Sequence, residues 1–160
     1  MSGSKGHGAK VIFIPPPFLF AGGFLAGVWL RRFVPGDALP ARFAVAARAA
    51  GLPLVAAGVA FALWGILTFF RAKTTIVPHR AVSSLVDHGP YRLTRNPMYV
   101  GLTAAYTGLA LVQNRLWPFA FLPFVLAILV AAVILPEERY LEERFGDDYR
   151  AYKRRVRRLI

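Results

Sequence analysis

The sequence predicts an all-α integral membrane protein, a bundle of about four transmembrane helices with a cytoplasmic, amphipathic, helical C-terminal tail. Two observations carry this prediction: 56% of the residues are hydrophobic, and the charged residues are confined to a few stretches of the chain. Four runs contain no Asp, Glu, Lys or Arg, namely Val11–Leu30, Ala49–Phe70, Asn96–Asn114 and Leu116–Pro136. Each run has about 20 residues, and a helix of that length spans the ~30 Å hydrocarbon core of a bilayer.

The first apolar run is expected to form a membrane helix. It lacks the small-residue cleavage site and the polar mature domain that follow a signal peptide. Prolines occupy Pro15–Pro17, so the regular helix is expected to begin near Phe18 and to end near Phe33. Gly23 and Gly27 form a Gly-x-x-x-Gly pair, which would let a neighbouring helix approach closely.

Basic residues outnumber acidic ones, with 20 Lys and Arg against 8 Asp and Glu and a net charge of +12. One side of a four-span bundle would hold the N-terminus, the connection Arg71–Arg95 and the tail, which carry most of the positive charge. The positive-inside rule then places both termini in the cytoplasm. The other side holds five arginines, namely Arg31, Arg32, Arg42, Arg48 and Arg115. Arginines near helix ends can reach lipid headgroups, so this distribution favours membrane lipids, and not nucleic acid, as the partner.

Metal and thiol chemistry are not expected. The chain has no cysteine, which excludes disulfides and thiolate catalysis, and its three histidines are scattered along the sequence.

The connections between the apolar runs carry clear turn signals. Arg71–Asn96 is long for so small a membrane protein, and loops of this length are usually functional. Pro97 predicts the first turn of the third helix, with Asn96 as its N-cap. Only Asn114–Leu116 separates the third and fourth runs, so these helices are expected to form a tight hairpin.

The chain becomes polar after Pro136. Glu137 and Glu138 are expected to open a new helix, because the helix dipole favours acidic residues at its first turn. Gly146 is expected to end that helix. A second, basic helix follows, and its apolar face consists of Tyr149, Tyr152 and Val156. This tail is expected to lie against the membrane or to fold over the cytoplasmic loop.

Most of the chemically capable side chains lie in two segments, His88–Gly101 and Glu137–Tyr152. Each segment adjoins one arm of the predicted hairpin, so the two are expected to meet at the cytoplasmic surface. Arg95 would then face Glu137 and Glu138. Aromatic walls would come from Tyr91, Tyr99 and Tyr140.

Both segments resemble the signature of the isoprenylcysteine carboxyl methyltransferase family. Residues 89–101 read Gly-Pro-Tyr-Arg-Leu-Thr-Arg-Asn-Pro-Met-Tyr-Val-Gly, against a family pattern of Gly-x-Tyr-x-x-x-Arg-His-Pro-x-Tyr-x-Gly. Residues 137–152 match the pattern Glu-Glu-x-x-Leu-x-x-x-Phe-Gly-x-x-Tyr-x-x-Tyr. The resemblance covers residues 74–158 and extends to phospholipid methyltransferases of the same integral membrane superfamily. Sterol reductases, which use a nicotinamide cofactor, have a related pattern.

The resemblance implies S-adenosylmethionine in a cytoplasmic pocket and a lipophilic or prenylated acceptor that enters from the bilayer. The chain would be one domain, 1–160, in which 1–10 are expected to be disordered and 74–158 form the cofactor-binding half. The residues expected at the cofactor are His88, Gly89, Tyr91, Arg95, Asn96, Pro97, Tyr99, Gly101, Glu137 and Glu138. Of these, Arg95 and Glu138 are expected to be catalytic: Arg95 would hold the cofactor carboxylate, and Glu138 would accept a proton from an amine or thiol.

Two departures from the eukaryotic family pattern bear on the acceptor. Asn96 replaces a histidine and cannot titrate near neutral pH. Pro136 and the apolar residues before it stand where an arginine precedes the paired glutamates. Both departures weaken a prenylated protein as the substrate and leave methyl transfer intact. The predicted function is methylation of a membrane-resident acceptor, with an isoprenylcysteine-type carboxylate as one candidate. The alternatives are a phospholipid amine methyltransferase, an NADPH enzyme of the sterol reductase type, and a non-catalytic lipid-binding protein.

Overall fold

A computed structural model describes residues 15–72 and 85–159, most of which form helices. The elements are α1 (Pro16–Leu30), α2 (Ala41–Arg71), a 3-10 turn (Gly89–Arg92), α3 (Pro97–Val112), α4 (Trp117–Leu129), a π turn (Val130–Ile134), α5 (Leu135–Phe145) and α6 (Asp147–Arg155). The all-α fold class is confirmed for these residues. Expectations for residues 1–14 and 73–84, including the disordered N-terminus and most of the long connection, fall outside the described residues.

Two of the described helices are long and apolar enough to cross a membrane. They are α2, with 31 residues, and the continuous helix Trp117–Phe145, with 29. α1 and α3 are also apolar but have 15 and 16 residues, fewer than the ~20 that a perpendicular span requires. α1 ends at Leu30, three residues before the predicted end, and a turn follows it. The all-helical fold is compatible with a membrane protein, and the prediction of four spans is supported for two helices.

Glycines bring α2 and α3 into close antiparallel contact. Gly51 packs against Gly108, and Gly58 packs against Gly101. An added Cβ at Gly58 would lie 2.6 Å from the carbonyl oxygen of Gly101, and one at Gly101 would lie 2.5 Å from that of Gly58. Spacings of seven residues keep these glycines on one helix face, as they do for Gly65, which faces the start of α3. In a bilayer such close backbone approach supplies the packing attraction that lipid cannot provide.

α1 packs against α4 through the predicted glycine pair. An added Cβ at Gly27 would lie 2.6 Å from the backbone nitrogen of Pro118, and Gly23 faces the side chain of Val125. The close approach predicted for Gly23 and Gly27 is therefore confirmed. Tyr106 of α3 completes this core, because its hydroxyl donates a 2.7 Å hydrogen bond to the carbonyl of Pro118.

The outer surface of the bundle carries large apolar side chains. Several are about half exposed or more, among them Phe18, Leu25, Leu52, Val59, Leu63, Leu67, Phe124 and Ile128. A water-soluble monomer rarely exposes so continuous an apolar surface. Together with the small residues buried between α2 and α3, this arrangement fits a chain that is solvated by lipid.

The polar end of the fourth apolar run differs from the prediction. Glu137 and Glu138 do not open a new helix, because the helix runs without a break from Trp117 to Phe145. The backbone of Ile134 and Leu135 is right-handed α, so no free helix N-terminus exists there to favour acidic residues. The interpretation of the two glutamates as a dipole-stabilised helix start was therefore wrong. As predicted, Gly146 ends the helix, with a positive φ of 53°.

The π turn decides which glutamate faces inward. Leu129 and Ile134 are both fully buried although they are five residues apart. In a regular α-helix such residues point about 140° apart, and the wider π turn brings them back towards one face. Glu138 follows Ile134 by four residues and shares its buried face, whereas Glu137 is exposed.

We predict that Gly58→Ala destabilises the fold by about 1–3 kcal/mol, because the new methyl group forces α2 and α3 apart. The measurement is thermal or denaturant unfolding in detergent. Gly22→Ala is the matched control, since no atom lies within 4 Å of an added Cβ there, and alanine favours the helix. Equal stability of the two variants would contradict the close contact.

Candidate functional site

The C-terminal tail, α6 with residues 156–159, folds back over the segment before α3. Tyr149, Tyr152 and Val156 form a buried cluster, which confirms that they share one face. The Tyr152 hydroxyl donates to the carbonyl of Tyr91 at 2.8 Å. Of the two predicted positions for the tail, the described residues therefore show the one over the connection before α3.

Backbone hydrogen bonds fix the end of the tail beside the start of α3. The Arg95 amide donates to the carbonyl of Arg157 at 2.9 Å. The carbonyl of Arg158 accepts hydrogen bonds from the Thr94 hydroxyl at 3.1 Å and from Nδ2 of Asn96 at 2.8 Å. Asn96 therefore occupies the N-cap position of α3, but its side chain bonds the tail and does not cap the helix. That part of the sequence prediction was wrong.

A single buried carboxylate joins the three segments of the site. Glu138 is 6% exposed, and its two oxygens accept hydrogen bonds from Nε and Nη2 of Arg158 at 2.9 and 2.8 Å. Nη1 of Arg95 lies 3.0 Å from Oε1 of the same carboxylate. A bidentate guanidinium pair is the strongest geometry for such a contact. The prediction that Arg95 and Glu138 meet is confirmed.

Two buried polar atoms of this cluster have no partner within the described ranges, namely Nε of Arg95 and the hydroxyl of Tyr91. Nη1 of Arg95 is occupied by its ion pair with Glu138. Burial raises the pKa of the Tyr91 phenol, so the group is neutral at physiological pH. Unpaired buried donors are costly, and they mark a place where a ligand with acceptor atoms would be stabilised.

The remaining carboxylate has a different environment. Glu137 is exposed, and its Oε2 accepts a 3.4 Å hydrogen bond from the Tyr99 hydroxyl. Tyr149 lies on the other side of the cluster, where burial first and the charge of Glu138 second raise its pKa to about 12. Two adjacent glutamates therefore differ sharply: Glu138 is buried and paired with arginines, and Glu137 is accessible.

Comparison with known proteins matches this arrangement to a family. Residues 46–148, about two thirds of the chain, match the family model of phospholipid methyltransferases. The chain belongs to the phospholipid methyltransferase family. The match spans α2, α3, the long fourth helix and both site segments, and it supports a membrane methyltransferase of the general kind.

One curated relative and no solved structure accompany the family match. The chain is 36% identical over 77 residues to the cobalt-zinc-cadmium resistance protein CzcN of Cupriavidus metallidurans. That alignment covers 48% of this chain and 35% of the relative, so the chain spans about a third of the length of the curated protein it matches. No solved structure matches the chain significantly. Within residues 15–72 and 85–159, no group of three or more His, Asp or Glu side chains is placed to hold a metal ion.

Several predicted site residues of this phospholipid methyltransferase family member lie apart from the carboxylate cluster. His88 is exposed and makes no side-chain hydrogen bond to another described residue. Gly89 has a φ of +61° and faces Thr68 of α2. Pro97 and Gly101 pack against α2, at Gly65 and Gly58 respectively. These four residues shape the backbone around the site, while the polar contacts come from the arginines, tyrosines and glutamates.

Sequence reasoning missed Arg158 and Thr94 as site residues. The basic tail was expected to attract anionic lipid, and its arginines could not be told apart by composition. The structure turns Arg158 inward to Glu138 and buries Thr94 beneath the tail. No local pattern distinguishes Arg158 from the other basic residues of the tail, because its role depends on a tertiary contact with Glu138.

We predict that Glu138→Gln releases the tail, because Arg95 and Arg158 then lose their shared counter-charge. The expected loss is about 1.5–3 kcal/mol for the charged hydrogen bonds, measured as unfolding free energy and as faster tryptic cleavage of the tail. Glu143→Gln is the control, since Glu143 is exposed on the same helix. Tail cleavage at the wild-type rate in Glu138→Gln would contradict the role of this carboxylate.

Proposed function

We propose that the protein transfers the methyl group of S-adenosylmethionine to a lipophilic acceptor in the membrane, and that the acceptor is the amine of a phospholipid headgroup. The observation that carries this proposal is the set of unpaired buried donors on Arg95 and Tyr91, next to an accessible carboxylate. Membership of the phospholipid methyltransferase family supports methyl transfer over nicotinamide-dependent reduction.

The residues present fit the cofactor. Its carboxylate requires cationic or amide donors, and Arg95 offers Nε, while Tyr91 offers its hydroxyl. Tyr91 and Tyr99 are buried aromatic groups near these donors, and aromatic faces attract a sulfonium cation. When bound, S-adenosylmethionine supplies an electrophilic methyl group. The task of the surrounding side chains is to orient it and to exclude water.

The two glutamates take separate roles in this proposal. Glu138 is saturated by Arg158 and contacts Arg95, so we assign it the positioning of Arg95 and of the tail. This assignment replaces its expected role as proton acceptor. Glu137 is exposed and its only described hydrogen bond comes from Tyr99, so it can receive a proton. A phospholipid ammonium group must lose a proton before its nitrogen can attack.

The same asymmetry between the two glutamates supports an amine as the acceptor. An exposed carboxylate beside the site attracts an ammonium headgroup and repels a carboxylate acceptor. An isoprenylcysteine-type carboxylate needs no base, so it would make no use of Glu137. The distribution of basic residues supports a cytoplasmic location for this end of the molecule, as the positive-inside rule proposes.

We predict that Arg95→Gln weakens the binding of S-adenosylhomocysteine by roughly 30-fold or more, as expected for truncating a buried charged contact. Calorimetric titration of detergent-purified protein measures this. Arg92→Gln is the matched control, because Arg92 is an exposed arginine three residues earlier. Micromolar binding that only Arg95→Gln loses supports the proposed cofactor. If S-adenosylhomocysteine does not bind the folded wild-type protein, methyl transfer is contradicted. The remaining alternatives are then a reductase, which is tested by NADPH binding, and a lipid-binding protein.

We also predict that Glu137→Gln slows methylation of phosphatidylethanolamine by about 100-fold or more while cofactor binding is unchanged, since proton acceptors contribute on that order. Transfer of radiolabelled methyl groups into lipid, with Glu143→Gln as control, measures the rate. A farnesylated cysteine acceptor is tested in parallel. Methylation of that carboxylate, unaffected by Glu137→Gln, would replace the amine with the isoprenylcysteine-type acceptor.

A further inference from the structure

A second polar cluster lies at the opposite end of the bundle from the carboxylate site. α3 separates the two ends, and its 16 residues extend roughly 24 Å. In this second cluster, hydrogen bonds join the turn after α1 to the turn before α4. The Leu116 amide donates to the carbonyl of Asp37 at 2.7 Å, and the Asn114 side chain bonds both the amide and the carbonyl of Leu39. The indole of Trp117 donates to the carbonyl of Val34 at 3.0 Å.

The charges held by these turns do not balance. Asp37 is 3% exposed and lies 3.3 Å from Nε of Arg31 and 3.7 Å from Nη1 of Arg115. Arg32 forms no ion pair with a described carboxylate. Nε of Arg115 is buried and has no hydrogen-bond partner within the described part of the chain. Two guanidinium groups contact Asp37, and the third, that of Arg32, lines the same hollow as Arg31 and Arg115. The cluster therefore has an excess of positive charge, although Oδ2 of Asp37 also has no hydrogen-bond partner among the described residues.

An apolar groove leads to these arginines. One hollow of about 480 Å³ is lined by Leu25, Ala26, Val28, Trp29 and Arg32. A second, of about 350 Å³, is lined by Val28, Arg31, Arg32 and Arg115. Val28 and Arg32 line both, so the two hollows form one groove along α1 that is apolar at one end and cationic at the other. We call this feature the α1 groove.

We infer that the α1 groove binds an anionic phospholipid, with the phosphate at Arg31, Arg32 and Arg115 and an acyl chain along Leu25 and Trp29. The guanidinium groups match the charge and the planar hydrogen-bonding geometry of a phosphate. Leu25 and Trp29 are 64% and 57% exposed, so the apolar part of the groove is open to lipid. The site explains why arginines collect on the side of the membrane where the positive-inside rule does not expect them.

The occupant is a lipid and not a free anion, because the phosphate site continues directly into apolar surface. A soluble phosphate would leave Leu25, Ala26 and Trp29 uncovered. The inference does not depend on methyl transfer, since no residue of the groove belongs to the site around Glu138. Failure of one proposal therefore leaves the other unaffected.

The test is lipid binding to the full chain in neutral detergent, followed by native mass spectrometry, with phosphatidylglycerol and phosphatidylcholine of the same acyl chains. We expect the wild-type protein to bind phosphatidylglycerol at least roughly fivefold more tightly, and Arg32→Gln to lose roughly fivefold in that affinity, as expected for one arginine near an anionic headgroup. Arg42→Gln is the matched control. Arg42 is exposed at the same end, lies over the ring of Phe43, and does not line the groove.

Each outcome decides the inference. A preference for phosphatidylglycerol that Arg32→Gln reduces and Arg42→Gln preserves, with unchanged melting temperatures, supports the site. Equal binding of the two lipids, or equal effects of the two variants, overturns it. Glycerol phosphate is added as a soluble competitor without acyl chains. Displacement of the lipid at equal concentration would show that the groove takes a free anion, and that result also overturns the lipid as its occupant.

Discussion

A carboxylate removed from water requires counter-charges that stay in place. Glu138 imposes this requirement on the end of the bundle where the tail packs. Its partners come from two distant parts of the chain, Arg95 before α3 and Arg158 after α6. Removing either partner would weaken the compensation of a buried charge, so the start of α3, the long helix and the tail are held as one unit. The backbone hydrogen bonds from Arg95 and Thr94 to the tail complete this unit and fix its geometry.

The transmembrane part depends on small side chains. Glycines at seven-residue spacing let the backbones of α2 and α3 touch, and Gly23 and Gly27 do the same for α1 against α4. Many leucine and phenylalanine side chains point outward, where lipid would solvate them, although Phe20, Phe24 and Leu129 lie in the core. A soluble bundle buries its large apolar side chains. A bundle in lipid can leave them on its surface, because apolar side chains gain little by leaving lipid. The packed helices thereby hold polar turns at both ends of the bundle.

Much of this architecture could be predicted from the sequence. Runs without charge located the helices, Gly23 and Gly27 indicated a packing face, and the motif residues Arg95 and Glu138 were correctly expected to meet. The sequence could not show that the fourth helix continues past Pro136. A proline there is equally compatible with the first turn of a new helix and with a continuing helix that is locally widened. The role of Arg158 depends on a tertiary contact with Glu138, 20 residues away, which no local pattern specifies.

The π turn shows how a local irregularity can separate the functions of adjacent residues. Without the π turn, Leu129 and Ile134 would lie on different faces of the helix. Glu138, which follows Ile134 by four residues, would then not share the buried face of Leu129. With it, Glu138 enters the cluster of arginines while Glu137 stays accessible beside Tyr99. Both oxygens of Glu138 are engaged by guanidinium groups, whereas the described partner of Glu137 is the Tyr99 hydroxyl alone. In the proposed reaction the proton acceptor is therefore the neighbouring glutamate, and the irregular turn in the helix keeps that neighbour accessible.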